Sequence, residues 1–287
     1  MRRSLLAFVS FGLVALASRS ARAQHAPLPP EVIALDSPEG ERLLSESTAK
    51  ADFVRLVSTY VTQEQPTFCG VASAVTVLNA LPIQQPLTEL GRMYSQQSFF
   101  AETTRAVITP EQAGKTGLTL ARLANALQTH PTIVELTYGS DVSLDDLRAR
   151  LSKNLATADD YVIVNYQRGE LGQESVGHIS PLGAYHAGSD RFLVLDVARY
   201  KYPPHWVYAD TLHRAMRSTD IISGKSRGFL VIKGTKVPKG PMFASPGRRP
   251  TMILGGIIAA AFFVGVGVGL LLGRLRVKPA APDASKN

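Results

Sequence analysis

The chain has 287 residues, 45% hydrophobic and 19% charged, so it can bury a core and is too apolar for bulk disorder. Its net charge of +8 sits at the ends: residues 1–23 carry four Arg and no acid, and residues 274–287 carry two Arg, two Lys and one Asp. Subtracting +4 and +3 leaves +1 for the body, which argues against a basic face for nucleic acid, and no nucleic-acid partner is expected. In chain order, Arg2 and Arg3 precede an apolar stretch of 13 residues, Leu5–Ala17, and Ala21-Arg22-Ala23 offers a cleavage site. Residues 1–23 therefore read as a secretory signal peptide. Residues 24–36 are irregular. Ser37-Pro38 opens a helix, with Ser as N-cap and Pro at the first helical position. Phe53, Leu56, Val57 and Tyr60 repeat with helical spacing on a second helix that starts near Asp52. A third helix runs from Cys69 to Leu81 and is closed by Pro82.

Further helices are expected over 117–129 and over 143–155, the latter capped by Ser143. Strands are expected at Thr132–Tyr138, Tyr161–Gln167, Ile179–Tyr185, Arg191–Ala198 and Gly228–Lys233. The third and fourth are joined by the turn-rich stretch HAGSD. Helices first and an antiparallel sheet later make an α+β fold. Residues 24–235 are then one domain and 236–251 a linker rich in Lys, Arg, Pro and Gly. Met252–Gly273 is an uncharged run of 22 residues, long enough for a transmembrane helix, and residues 274–287 form a basic tail. The signal and this run predict a single-pass inner-membrane protein with a periplasmic body and a cytoplasmic tail. Gly265, Gly269 and Gly273 recur at every fourth residue, a spacing that lets two such helices pack closely as a homodimer.

Cys69 is the single cysteine, so no internal disulfide can form. An exported lone thiol is either a small buried hydrophobe or a retained nucleophile. Its place in the first turn of a helix favours a thiolate, because unpaired backbone N–H groups point at it. Thr67 can cap that helix, and Gly70 leaves room beside the sulfur. Of the six histidines, His178 stands out. It lies 18 residues before Asp196, with the midpoint at Ala187 inside the HAGSD turn. That spacing sets the two opposite or diagonally opposite on one face of a hairpin. Asp196 interrupts the apolar run RFLVLDVARY, and a buried carboxylate there needs a partner such as an imidazole N–H. A strand-end Asp capping backbone groups satisfies the spacing as well. The catalytic version is Cys69 as nucleophile, His178 as base and Asp196 as orienter. The Cys69 N–H would serve the oxyanion, with Gln63 folding back as a side-chain donor.

These stretches carry a resemblance. QEQPTFCGVASAVTVLNAL, GHISPLGAYHAGSDRFLVLDVARYKYPPHWV and TDIISGKSRGF are similar to phytochelatin synthase, from about Pro38 to Lys233. The resemblance implies a papain-like fold and a γ-glutamylcysteine dipeptidyl transpeptidase. It implies the triad Cys69, His178 and Asp196, with Gln63 at the oxyanion. It also implies Asp220 and Arg227 as holders of the γ-glutamyl ammonium and carboxylate of glutathione. Arg168, in YQRGE, would meet the glycine carboxylate or a second substrate. Gly177 would border the substrate, and Arg199 and Tyr202 would lie near Asp196. The Cys-rich C-terminal region of plant members is replaced by the linker and apolar run. No resident cofactor or metal ligand set is therefore expected, and metal–glutathione thiolates or glutathione S-conjugates enter only as substrates. The short prokaryotic type implies hydrolysis over polymer synthesis. The rival expectations are a broader envelope cysteine peptidase and a non-catalytic, membrane-tethered module that binds thiols or metal.

Overall fold

The structure is a computed structural model, and residues 25–89 and 91–235 are described. The signal peptide and the apolar run Met252–Gly273 lie outside the described residues. No helix among those described is long and apolar enough to cross a membrane.

The helices are α1 (Pro38–Glu46), α2 (Phe53–Ser58), α3 (Cys69–Ala80), α4 (Glu102–Arg105), α5 (Pro110–Thr116), α6 (Leu120–Leu127), α7 (Leu144–Leu155) and α8 (Ala209–Arg217). The strands are β1 (Ile33–Ala34), β2 (Leu87–Thr88), β3 (Gly91–Arg92), β4 (Thr132–Tyr138), β5 (Asp160–Gln167), β6 (Gly177–His186), β7 (Arg191–Val194), β8 (His205–Tyr208), β9 (Thr219–Asp220), β10 (Lys225–Ser226) and β11 (Gly228–Gly234). Seven strands form one antiparallel sheet in the order β1-β8-β7-β6-β5-β11-β4. The last strand, β11, therefore lies between β4 and β5.

The α+β expectation holds as a mixture of helices and antiparallel sheet. Helices are also interleaved with the later strands: α7 connects β4 to β5, and α8 follows β8. Both sheet faces are covered. Along β5, Tyr161 and Ile163 join the core with α3 and α6, while Val162, Val164 and Tyr166 join the core with α7 and α8. A strand buried on both faces reads as the continuous apolar run YVIV rather than an alternation.

Local chemistry explains the helix starts. Ser37 accepts from Gly40 N at 3.0 Å, with Pro38 at the first position of α1. Ser143 accepts from Asp146 N at 3.1 Å to open α7. The helix expected over 117–129 is narrower, because Gly117 ends α5 with φ 71° and Thr119 then caps α6. Leu81, before Pro82, is extended and stops α3 as expected.

The expected strand Arg191–Ala198 stops at Val194. The hairpin pairs Ala184 with Leu193, and beyond Gly183 the register shifts so that Leu182 pairs with Val194. That bulge sets the parity of the site. With the register near the turn, His178 and Asp196 would fall on opposite faces. Past the bulge, Asp196 comes opposite Ser180, two residues from His178 on the same face. The diagonal alternative was the correct one, through a bulge that the spacing did not reveal.

Candidate active site

Cys69 is the first residue of α3, so its N–H has no acceptor within the helix. Ten of the eleven following residues of α3 are buried, and the helix packs on β6 beside His178. Ser73 Oγ lies 2.7 Å from Cys69 O and 3.0 Å from Ile179 O, which fixes the helix start against that strand. Two expectations about this turn are corrected. Thr67 does not cap α3; its hydroxyl donates to Gly114 O at 3.0 Å, and Phe68 is the N-cap with no side-chain bond. Gly70 leaves no room for a substrate, because a Cβ there would lie 3.1 Å from Leu118 and 3.3 Å from Ile179. The glycine instead lets α3 approach those side chains.

His178 Nε2 donates to Asp196 Oδ1 at 2.9 Å. Its other nitrogen is left for the Cys69 thiol, with which the ring shares a hydrogen bond. Asp196 is fully buried; its Oδ2 faces Arg168 Nη2 at 2.7 Å with no hydrogen-bond partner among the described residues, and the bonds fall on Oδ1. Its Oδ1 accepts from Arg168 Nη2 at 2.8 Å and from Ala198 N at 2.9 Å, and Tyr60 donates to its backbone carbonyl. Burial pushes the Cys69 thiol up, but the hydrogen bond and charge of His178 and the backbone bonds to Ile179 and Gly70 outweigh it and leave the thiol below its ordinary value. Burial pushes His178 down and Arg168 opposes its charging, yet Asp196 and the thiol hold it above the ordinary histidine value. Burial likewise works against ionised Asp196, and the charges of His178 and Arg168 with the His178 bond keep it well below the carboxylate range. Nucleophile, base and orienter are thus biased toward thiolate, imidazolium and carboxylate.

One cavity of about 700 Å³ includes Cys69, His178, Gln63, Asp220 and Arg227 in its lining. Gln63 is buried, and its N–H donates to Val197 O at 2.9 Å. Its Nε2 lies within 3.0 Å of three acceptors, Gln65 O, Pro66 O and Tyr200 Oη. Asp220 accepts from Ile222 N at 3.1 Å and from Ser223 Oγ at 3.2 Å. Arg227 donates to Asn165 Oδ1 at 3.1 Å. Burial lowers the Arg227 pKa, and the charges of Asp220 and Cys69 act against that.

Gly177 acts by leaving space: a Cβ there would lie 2.5 Å from Arg227 Nη1 and 2.8 Å from Cζ. Arg168 also lines this cavity. It is 1% exposed, with Nη2 on Asp196 and Nη1 donating to Gln173 Oε1 at 2.7 Å. Both arms of its guanidinium are thus held by protein groups. Tyr202 stacks on it at 4.8 Å, and Arg199 stacks on Tyr60 at 5.0 Å.

Sequence reasoning missed Asn165, the acceptor for Arg227, and Gln173, the acceptor for Arg168. Asn165 did leave a signal, as the polar residue inside the apolar run YVIVNYQ. Gln173 left none, because its meaning depends on a turn formed by Arg168–Leu171. Among the described residues no group of three or more His, Cys, Asp or Glu is placed to hold a metal ion.

A family model described as phytochelatin synthase matches residues 23–229. Glutathione gamma-glutamylcysteinyltransferase 3 of Lotus japonicus is 36% identical over 215 residues, which is 73% of this chain and 44% of the relative. Glutathione gamma-glutamylcysteinyltransferase 1 of Arabidopsis thaliana is 36% identical over 72% of this chain and 42% of its own length. The Schizosaccharomyces pombe enzyme of the same name is 29% identical, over 74% of this chain and 51% of its own. The chain thus spans about half the length of these relatives or less. Xylellain, a cysteine protease from Xylella fastidiosa, aligns with a TM-score of 0.28 at 12% identity, over 72% of this chain and 87% of its own, too low to carry an argument. With the family model matching residues 23–229, a span that holds Cys69, His178 and Asp196, the chain belongs to the phytochelatin synthase family.

Proposed function

We propose that the chain cleaves the Cys–Gly amide of glutathione, or of a glutathione S-conjugate, through an acyl-enzyme on Cys69. The Cys69 thiolate attacks the amide carbonyl carbon. The oxyanion takes hydrogen bonds from the Cys69 N–H and from Gln63 Nε2, which exchanges the Tyr200 hydroxyl for it. His178 passes its proton to the glycine nitrogen, the C–N bond breaks and glycine leaves. The γ-glutamylcysteinyl thioester remains. Neutral His178 then takes a proton from water as the water oxygen attacks, and the thiolate is restored as γ-glutamylcysteine departs. A second glutathione amine replaces water in the minor, synthetic branch, where metal–glutathione thiolates are substrates. A nucleophile at a helix start facing a base and orienter on a sheet supports a papain-like reading of the fold.

The observation that carries the substrate assignment is the single cavity joining the Cys69 thiol to Asp220 and Arg227. A carboxylate and a guanidinium lining one cavity match the ammonium and carboxylate of a γ-glutamyl group. The N-terminal signal and the C-terminal apolar run support an inner-membrane enzyme with its catalytic body in the periplasm, and the glycine spacing of that run supports a homodimer. Incubation with glutathione and quantification of glycine tests the reaction. Wild type releases glycine and γ-glutamylcysteine, and Cys69→Ala releases none. Arg227→Ala raises KM for glutathione about 10- to 100-fold, the range for a lost hydrogen bond to a charged group. Unchanged KM with retained cleavage of ordinary peptides would replace this substrate with a broader one.

A further inference from the structure

Arg168 is buried at the wall of the cavity and touches Asp196 with one arm. Nη2 lies 2.8 Å from Asp196 Oδ1 and 2.7 Å from Oδ2. The other arm, Nη1, donates to Gln173 Oε1 at 2.7 Å. Gln173 Nε2 in turn donates to His205 Nε2 at 3.3 Å, and His205 Nδ1 donates to Pro203 O at 2.8 Å. Tyr202 closes the guanidinium face at 4.8 Å. This is a continuous buried chain from β8 to the triad, and peptide cleavage by Cys69 and His178 as described above uses none of it.

We propose that Arg168 is a positioning residue that shares the Asp196 carboxylate with His178 and so sets the pH window in which Cys69 and His178 coexist as thiolate and imidazolium. The argument is a charge balance. With Arg168 and Asp196 opposed, the thiolate–imidazolium pair makes the buried site neutral overall. Without Arg168 the same site carries one net negative charge, which costs more in a low-dielectric interior. Thiolate formation then meets less favourable potential, and imidazolium deprotonation becomes harder, so both ionisations move to higher pH.

The surrounding groups do not supply a substitute. From β5, Tyr166 is neutral, since burial raises its pKa. Tyr60, after α2, is neutral for the same reason. From β8, burial holds His205 below the ordinary histidine value. Arg199 stacks on the Tyr60 ring at 5.0 Å, and Lys201, over the far side of Tyr202 at 5.9 Å, is paired with Glu174. Asp220 and Arg227, across the cavity, are of opposite charge. Arg168 is therefore the cation that sits on the Asp196 carboxylate. The inference builds on the Cys69–His178–Asp196 assignment but does not depend on glutathione as substrate.

The test is the pH dependence of Cys69 alkylation by iodoacetamide, with kcat/KM for glutathione measured in parallel. In Arg168→Gln the acid limb of alkylation and both limbs of kcat/KM move upward by about one pH unit. Arg168→Lys keeps the limbs at their wild-type positions while kcat falls, because the charge stays and the two-armed hold is lost. Gln173→Glu, which keeps Arg168 but sets a second carboxylate on its other arm, gives the buried site one net negative charge again, moves the limbs upward and carries the test if Arg168→Gln does not fold. Limbs that stay at wild-type positions in Arg168→Gln, or in Gln173→Glu where that variant carries the test, overturn the proposal. So does a rise in KM alone in Arg168→Gln, which would return Arg168 to a substrate carboxylate. If wild type releases no glycine from glutathione yet the alkylation limb still shifts in Arg168→Gln, the substrate reading falls and this one stands.

Discussion

Gly177 and Arg227 show how a missing atom places a guanidinium. The guanidinium occupies the space where a Cβ of residue 177 would stand, 2.5 Å from Nη1. Gly177→Ala forces the arginine off its Asn165 bond, and overpacking of this kind costs about 1–3 kcal/mol. The expected outcome is a roughly tenfold rise in KM for glutathione, equivalent to about 1.4 kcal/mol, with the rate of Cys69 alkylation unchanged. Steady-state kinetics and a thiol-labelling time course separate the two. Cys69, His178 and Asp196 were legible in the sequence because the thiol is unique and the His–Asp spacing brackets one turn. Arg168, Gly70 and Thr67 were legible as positions and not as roles. Their contacts come from Asp196, Leu118 and Gly114, which only the packed fold brings near. A residue whose partner lies dozens of positions away carries no local pattern.

At the level of elements, the β6–β7 hairpin carries the site, and its bulge at Gly183 decides which face Asp196 shares. A Cβ on Gly183 would lie 3.2 Å from Leu195 Cγ and Phe53 Cδ2 and 3.3 Å from Leu193 Cδ2. Gly183→Val places two further methyl groups into that contact. It is expected to cost about 1–3 kcal/mol in a urea unfolding curve and to slow Cys69 alkylation as the His178–Asp196 bond lengthens. Unchanged alkylation in the folded variant would show that the bulge does not hold the pair. The strands Thr132–Tyr138 and Gly228–Lys233 were legible because β-branched and aromatic runs are bounded by turn residues. The helix α8 was not, since Tyr208 precedes it with no side-chain cap. The strand β8 is four residues long, below what a periodic pattern resolves.

The whole molecule has a predictable acid limit. His130 is buried between the rings of Tyr94 and Phe99, each at 5.1 Å. Burial, opposed by a hydrogen bond from the ring to the Phe99 backbone, lowers its pKa from 6.5 to about 4. The unfolded chain therefore binds a proton near pH 6.5 that the folded chain takes only near about 4. Between those values the unfolded state holds more protons, so stability is full above the upper one and is lost as pH falls toward the lower. The contribution is of order 3 kcal/mol. Urea midpoints at neutral pH and near pH 4.5 should drop steeply for wild type and less for His130→Leu. Equal slopes would assign the acid limit to other groups, of which His205, also lowered by burial, has the same sign.

The position of β11 has a consequence for biogenesis. Strands β4 and β5 are made early, yet neither pairs with the other; both wait for Gly228–Gly234, the last strand of the described residues. Until that segment leaves the ribosome or the export channel, two long apolar edges stay open, and such edges invite pairing between chains. A fragment cut at residue 229, where the family match ends, keeps only Gly228 and Phe229 of this strand. Cys69, His178 and Asp196 would all be present, and β4 would be left without a partner beside the five strands β1-β8-β7-β6-β5.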